Sequence, residues 1–225
     1  MRAFIAGATG YTGRALVREL ISRGTDTYAH IRPDSDSLDQ MRRVFTDQGA
    51  KVDMTPWDYD AMKATMEQVD PDHVFFVIGT TKARMKDESD ATYENIDYGL
   101  AKLLLDACIE ADADPVFVYL SAQGAGPDAN TAYYEARWKA EREVCRGELD
   151  YVIARPGFIS GPDRDESRPM ERIGSKLASA TASVVGAFGA EGLRDKLQPR
   201  DAAEMAYQLA DAAYDESCHN RILES

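Results

Sequence analysis

A doubly wound parallel α/β sheet is the fold class predicted for this chain of 225 residues, and three observations predict it. Short apolar runs that read as strands buried on both faces alternate with helical patterns along the chain. The first run, Arg2 to Ala6, is followed at once by glycines at three-residue spacing, Gly7, Gly10 and Gly13, which open an amphipathic helix. No repeat, low-complexity tract or linker divides the chain, and 44% hydrophobic content is enough for one substantial core. Strand alternating with helix implies right-handed crossovers, and ligands of such sheets bind at the C-terminal ends of the strands.

The elements follow in order. Gly7, Gly10 and Gly13 let the backbone turn sharply out of the first strand, so that a pyrophosphate can approach without a Cβ in its way and meet helix N–H groups. Ala15, Leu16, Leu20 and Ile21 form the apolar face of the helix, and Gly24 stands where it should end. Further strands are expected at residues 27–31, 51–54, 73–78, 115–121 and 151–154, with a last one at 221–223. Arg32 closes the second strand, where an acid would accept hydrogen bonds from the ribose of NAD. An arginine there offers a charged fork to a 2′-phosphate and favours NADP(H), the alternative being an exposed ion pair with Asp34 or Asp36. Asp58 can N-cap a helix through Met62 and Met66. Gly7, Arg32, Asp58, Gly79, Ser121 and Pro156 all fall just after expected strands, so residues far apart in sequence converge on one rim.

The net charge of −13, with arginine outnumbering lysine, opposes broad contact with a phosphate backbone and argues against nucleic-acid binding. Neither a run of about eighteen apolar residues nor a leader is seen, so a cytoplasmic protein without membrane attachment is expected. Cys108, Cys145 and Cys218 are an odd number at unrelated spacings, which suits packing in a reducing compartment. His30, His73 and His219 show no ligand spacing, and no metal is expected.

Gly7-Ala8-Thr9-Gly10-Tyr11-Thr12-Gly13 closely resembles the turn of the extended and atypical short-chain dehydrogenases/reductases. Val74 to Lys82, Tyr119 to Ala125, Lys139-Ala140-Glu141 and Ala154-Arg155-Pro156-Gly157 stand in the order of that superfamily. The run from Asp163 to Pro169 is similar to the small NADPH-binding members that include the Tat-interacting oxidoreductase-like proteins, with the NmrA-like proteins as further relatives. The resemblance implies a single Rossmann domain over residues 1–225 that binds NADP(H) in preference to NAD(H). It implies cofactor contacts from Gly7, Thr9, Gly10, Tyr11, Thr12, Gly13 and Arg32, from the adenine-contacting pair Asp58 and Tyr59, and from Gly79, Thr80 and Thr81. Asn95 resembles the helix asparagine of extended members, and Pro156 and Gly157 should run beside the nicotinamide. About seventy residues follow Pro156, so residues 157–198 are expected to be a small substrate-covering segment. Small residues from Gly174 to Gly192 suit either a homodimer interface or an ordinary covering helix.

In the family a serine orients the substrate, a tyrosine exchanges the proton, and a lysine four residues later binds the nicotinamide ribose and lowers the phenol pKa. Ser121 and Lys139 match, but the position four before Lys139 is Glu135. Tyr134 is five before it, about 140° around an ideal helix. Three accounts stand: Tyr134 is recruited by a late or bulged helix; Tyr133 pairs with Arg137 at four-residue spacing; or the catalytic tyrosine is absent. The function expected is therefore an NADP(H)-dependent oxidoreductase acting on a small carbonyl, alcohol or quinone-like substrate, with Ser121, Tyr134 and Lys139 as the catalytic candidates. The alternative is a regulatory protein that senses the dinucleotide with little or no turnover.

Overall fold

The computed structural model describes residues 1–80, 85, 91–157 and 201–224. Their strands are β1 (Arg2–Ala6), β2 (Asp26–His30), β3 (Lys51–Asp53), β4 (His73–Phe76), β5 (Val116–Leu120), β6 (Tyr151–Arg155) and β7 (Arg221–Glu224). They form one parallel sheet in the order β3-β2-β1-β4-β5-β6-β7, the doubly wound arrangement predicted. The order reverses between β1 and β4, where the glycine turn leaves the sheet.

The period of two along β1 explains both layers. Ala3 and Ile5 enter one core with α1 (Tyr11–Ser22), α2 (Leu38–Gln48) and α6 (Ala202–Tyr214). Phe4 and Ala6 enter the other with α3 (Tyr59–Val69), α4 (Leu100–Glu110) and α5 (Ala132–Arg146). Because both faces are covered, the strands read as unbroken apolar runs. The helices start on side-chain caps where the sequence supplies them: Asp58 accepts from the Ala61 amide, Thr131 from that of Tyr134, and Asp201 from those of Ala203 and Glu204. A π-helical turn, Glu94–Gly99, leads into α4.

Several strands end earlier than the apolar runs suggest. β4 was expected to reach Ile78, but its neighbour β1 stops at Ala6, and after the bond from the Val77 amide to the Ala6 carbonyl (2.9 Å) no partner continues on that side. β7 extends one residue past its expected end, to Glu224. The covering segment expected at residues 157–198 lies outside the described residues apart from Gly157, and so does the small-residue stretch read as an interface.

Cys108, Cys145 and Cys218 form no disulfide; Cys108 is buried and its thiol is pushed up to about 12 by that burial, which suits packing. Among the described residues no helix is long and apolar enough to cross a membrane, and no cluster of metal-ligating side chains occurs.

Candidate functional site

A cavity of about 460 Å³ opens on the C-terminal rim of β1, β2, β3 and β4. Its wall comes from Gly7, Thr9 and Gly10 after β1, from His30 and the loop Arg32-Pro33-Asp34-Ser35 after β2, and from Pro56 and Trp57 after β3. Ile78 and Gly79 after β4 close it, together with Ile96 and Leu100 on the π turn and α4.

The glycines divide the work of the turn. Gly7 has φ +94°, and a Cβ there would lie 2.9 Å from the Ile78 amide nitrogen. A Cβ on Gly13 would come within 2.1 Å of the Gly7 carbonyl oxygen, so Gly13 lets α1 pack on the turn and is itself buried. Gly10 lines the cavity and precedes α1 with no side-chain cap. A helix start without a capping oxygen, at a cradle that a Cβ would fill, suits a phosphate oxygen. On this ground the residues present fit a dinucleotide.

The β2–β3 end of the cavity is walled by aromatic rings and a cation. Trp57 meets His30 edge-on, with ring centroids 4.8 Å apart. Burial lowers the His30 pKa, and its Nε2 lies 2.8 Å from the Thr55 carbonyl oxygen, which suits a neutral ring donating that bond. Arg32 lines the cavity with the largely exposed Asp34 beside it, Nη1 to Oδ2 3.4 Å.

Other candidates stand elsewhere. Tyr11 begins α1 and Thr12 is buried in it, both outside the cavity lining. Of the expected adenine-contacting pair, Asp58 caps α3 and Tyr59 is exposed, and the residues of this loop that line the cavity are Pro56 and Trp57. Thr80 is buried with its amide donating to Asp97 Oδ2 (3.2 Å), and Thr81 lies outside the described residues. Asn95 is exposed, its amide donating to Thr92 Oγ1 (3.0 Å). Pro156 is buried, its carbonyl accepting from the Gln123 amide (3.0 Å), and Gly157 is half-buried behind it.

No hydrogen bond joins any two of Ser121, Tyr134 and Lys139. Ser121 is buried and donates to Glu141 Oε1 at 2.5 Å; that carboxylate is also held by Arg155, through Nε at 2.9 Å and Nη2 at 2.5 Å. Tyr134 lies over Gly124, close enough that a Cβ there would sit 3.2 Å from its Cζ. Lys139 pairs with Glu94 at 3.0 Å and with Glu135 at 3.6 Å, and the Glu94 bond holds its ammonium above the ordinary lysine range. The reason is helical: α5 is a regular helix from Ala132, so the residue one turn before Lys139 is Glu135, and Tyr134 faces elsewhere.

Tyr133 and Arg137 do share a face. The Arg137 guanidinium carbon lies 5.3 Å from the centroid of the Tyr133 ring, and Tyr133 packs edge-on against Tyr93 at 5.4 Å. Arg137 also stands directly behind Gly79 of the cavity wall, its Nη2 only 2.7 Å from where a Gly79 Cβ would be.

A family model described as NAD(P)H-binding matches residues 7–210. The chain is 28% identical over 188 residues to protein fmp52-1, mitochondrial, of Aspergillus terreus, covering 80% of this chain and 75% of that one. Its fold matches the crystal structure of yeast methylglyoxal/isovaleraldehyde reductase Gre2 complexed with NADPH, at a TM-score of 0.72 and 12% identity, over 100% of this chain and 77% of the other. It matches that of UDP-glucose 4-epimerase from Thermus thermophilus complexed with NAD at a TM-score of 0.68 and 16% identity, over 96% of this chain and 75% of the other. One of these neighbours holds NADPH and the other NAD, so the shared fold leaves the choice of cofactor to local side chains.

Proposed function

The chain belongs to the NAD(P)H-binding family, and on that premise we propose that it binds NADP(H) in preference to NAD(H) and acts as an oxidoreductase of the atypical short-chain type. The observation that carries the preference is Arg32, in the loop after β2 and in the cavity wall. Gly7 and Gly10 would cradle the pyrophosphate, Trp57 and Pro56 the adenine, and Arg32 the 2′-phosphate. Bound there, the nicotinamide would exchange hydride with a small substrate, giving it to a carbonyl or quinone-like group or taking it from an alcohol. On the protein's side, Tyr133 offers the phenol that is linked to the cavity wall through Arg137.

Calorimetric titration with NADPH and NADH tests the preference. Arg32→Asp is expected to weaken NADPH by about 10- to 100-fold, the worth of one or two charge-assisted hydrogen bonds, and NADH by far less. Equal affinities in the unmodified protein would remove the argument. Trp57→Ala is expected to weaken both cofactors alike by about tenfold, because adenine is common to them and base–aromatic contact is worth about 1–3 kcal/mol. A loss confined to NADPH would place Trp57 away from the base.

One observation favours a second reading, dinucleotide sensing with little turnover: Lys139 is engaged by two carboxylates, and Ser121 donates its hydroxyl proton to Glu141. Single-turnover oxidation of bound NADPH with a panel of small aldehydes and quinones separates the two readings. Hydride loss that Tyr133→Phe abolishes while NADPH affinity stays unchanged supports the oxidoreductase.

A further inference from the structure

Behind the cavity wall lies an ion pair withdrawn from solvent. The side chains of Arg137 and Asp97 are 5% and 0% exposed, and Arg137 Nη2 lies 2.8 Å from Asp97 Oδ1. Arg137 also reaches backbone: Nη1 donates to the Leu120 carbonyl at 2.6 Å, and Nη2 to the Ile78 carbonyl at 2.9 Å. Asp97 in turn accepts from the Thr80 amide through Oδ2 (3.2 Å), and its own carbonyl accepts from the Tyr119 hydroxyl (3.3 Å). The pair therefore ties the ends of β4 and β5 to the π turn and to α5.

Its place matters more than its strength. Ile78, Gly79 and Ile96 line the cavity, and each is in contact with the pair or next to one of its members. The adenosine half of a dinucleotide takes the β2–β3 side of the turn, where Arg32 and Trp57 stand, so the other half runs toward β4 and β5. Buried charge pairs contribute little net stability compared with well-packed apolar residues, yet they fix geometry through directed hydrogen bonds. Gly79 fits this account. A Cβ there would strike the guanidinium at 2.7 Å, so glycine at this position makes room for Arg137 and not only for a ligand.

We propose that Arg137 and Asp97 are a positioning pair: they do not touch the dinucleotide but set the β4–β5 wall against which its nicotinamide half is seated. In this chain the residue four after Tyr133 thus faces inward as a clamp instead of outward to a ribose. The proposal rests on the NADP(H) reading above, and the test keeps the two apart.

The full chain is titrated with NADPH and with adenosine 2′,5′-bisphosphate, which is the adenosine half alone. The neutral pair Asp97→Asn with Arg137→Gln removes both charges together, so the protein stays folded, which its melting temperature checks. That variant is expected to bind NADPH about tenfold or more weakly and the bisphosphate within about twofold of the unmodified protein, as a displaced wall demands. Gly79→Ala should give the same pattern without touching either charge. Its effect should largely vanish in the Arg137→Gln background, where the group its Cβ strikes is gone. NADPH binding unchanged in the neutral-pair variant overturns the proposal, and so does an equal loss for both ligands, which would mean general loosening of the fold. An unmodified protein that binds neither ligand overturns the cofactor reading, and this proposal with it, before any variant is made.

Discussion

Gly13→Ala is expected to destabilise the protein by about 3–5 kcal/mol, at the upper end of single-substitution effects, and to weaken NADPH by about a hundredfold or more. The added Cβ would stand 2.1 Å from the Gly7 carbonyl oxygen and 2.8 Å from the Ala8 Cα, all backbone atoms. No side chain can move aside, so the turn itself must open, and Gly7 and Gly10 leave their places in the cavity wall. Urea denaturation measures the first effect and calorimetry the second. Gly49 is the control: it has φ +95° but nothing within 4 Å of its Cβ, so alanine there should cost only the left-handed strain of about 1–2 kcal/mol and leave NADPH affinity alone. Equal effects at the two glycines would show that conformation, and not the close approach of helix to turn, is what Gly13 supplies.

Asp97→Asn by itself is expected to cost about 3–5 kcal/mol, because it leaves the Arg137 cation buried without its anion. The same asparagine combined with Arg137→Gln should recover most of that loss, since the uncompensated charge is then gone while an amide oxygen remains to accept from Thr80. The single and the double variant are compared by urea unfolding on a common slope. If the double variant is no more stable than the single one, the cost lies in the shape of the site and the charge argument fails.

Much of the fold was legible because its signals are local. The alternation of buried runs with amphipathic helices specified a parallel sheet with both faces covered, and the capping oxygen of Asp58 marks a helix start. The glycine turn and Arg32 were legible for the same reason: each is set by its own strand end, and the sheet brings those ends to one rim. The loop after β3 was legible only in part. Asp58 was a sound cap, but the side chain reaching the cavity is that of Trp57, and which residue of a loop points inward depends on the neighbouring strand and on His30 across the gap.

By itself, then, the sequence determined the layered architecture, the phosphate-suited turn and the family, all of which follow from periodicity and from residues adjacent in the chain. The tertiary structure decided the partners of the polar side chains around the ends of β4 and β5. Lys139 and Arg137 lie on one helix two residues apart, about 200° around its axis, and nothing in their immediate sequence says which will be buried. That choice fell to Asp97 and to the carbonyls of Ile78 and Leu120, which lie on other elements and accept the forked guanidinium in the interior, while Glu94 and Glu135 hold the lysine at the surface. A planar fork with several donors can satisfy an anion and two carbonyls at once, and an ammonium is more easily kept hydrated, so packing sorted the two cations by a criterion that only three-dimensional neighbours can supply.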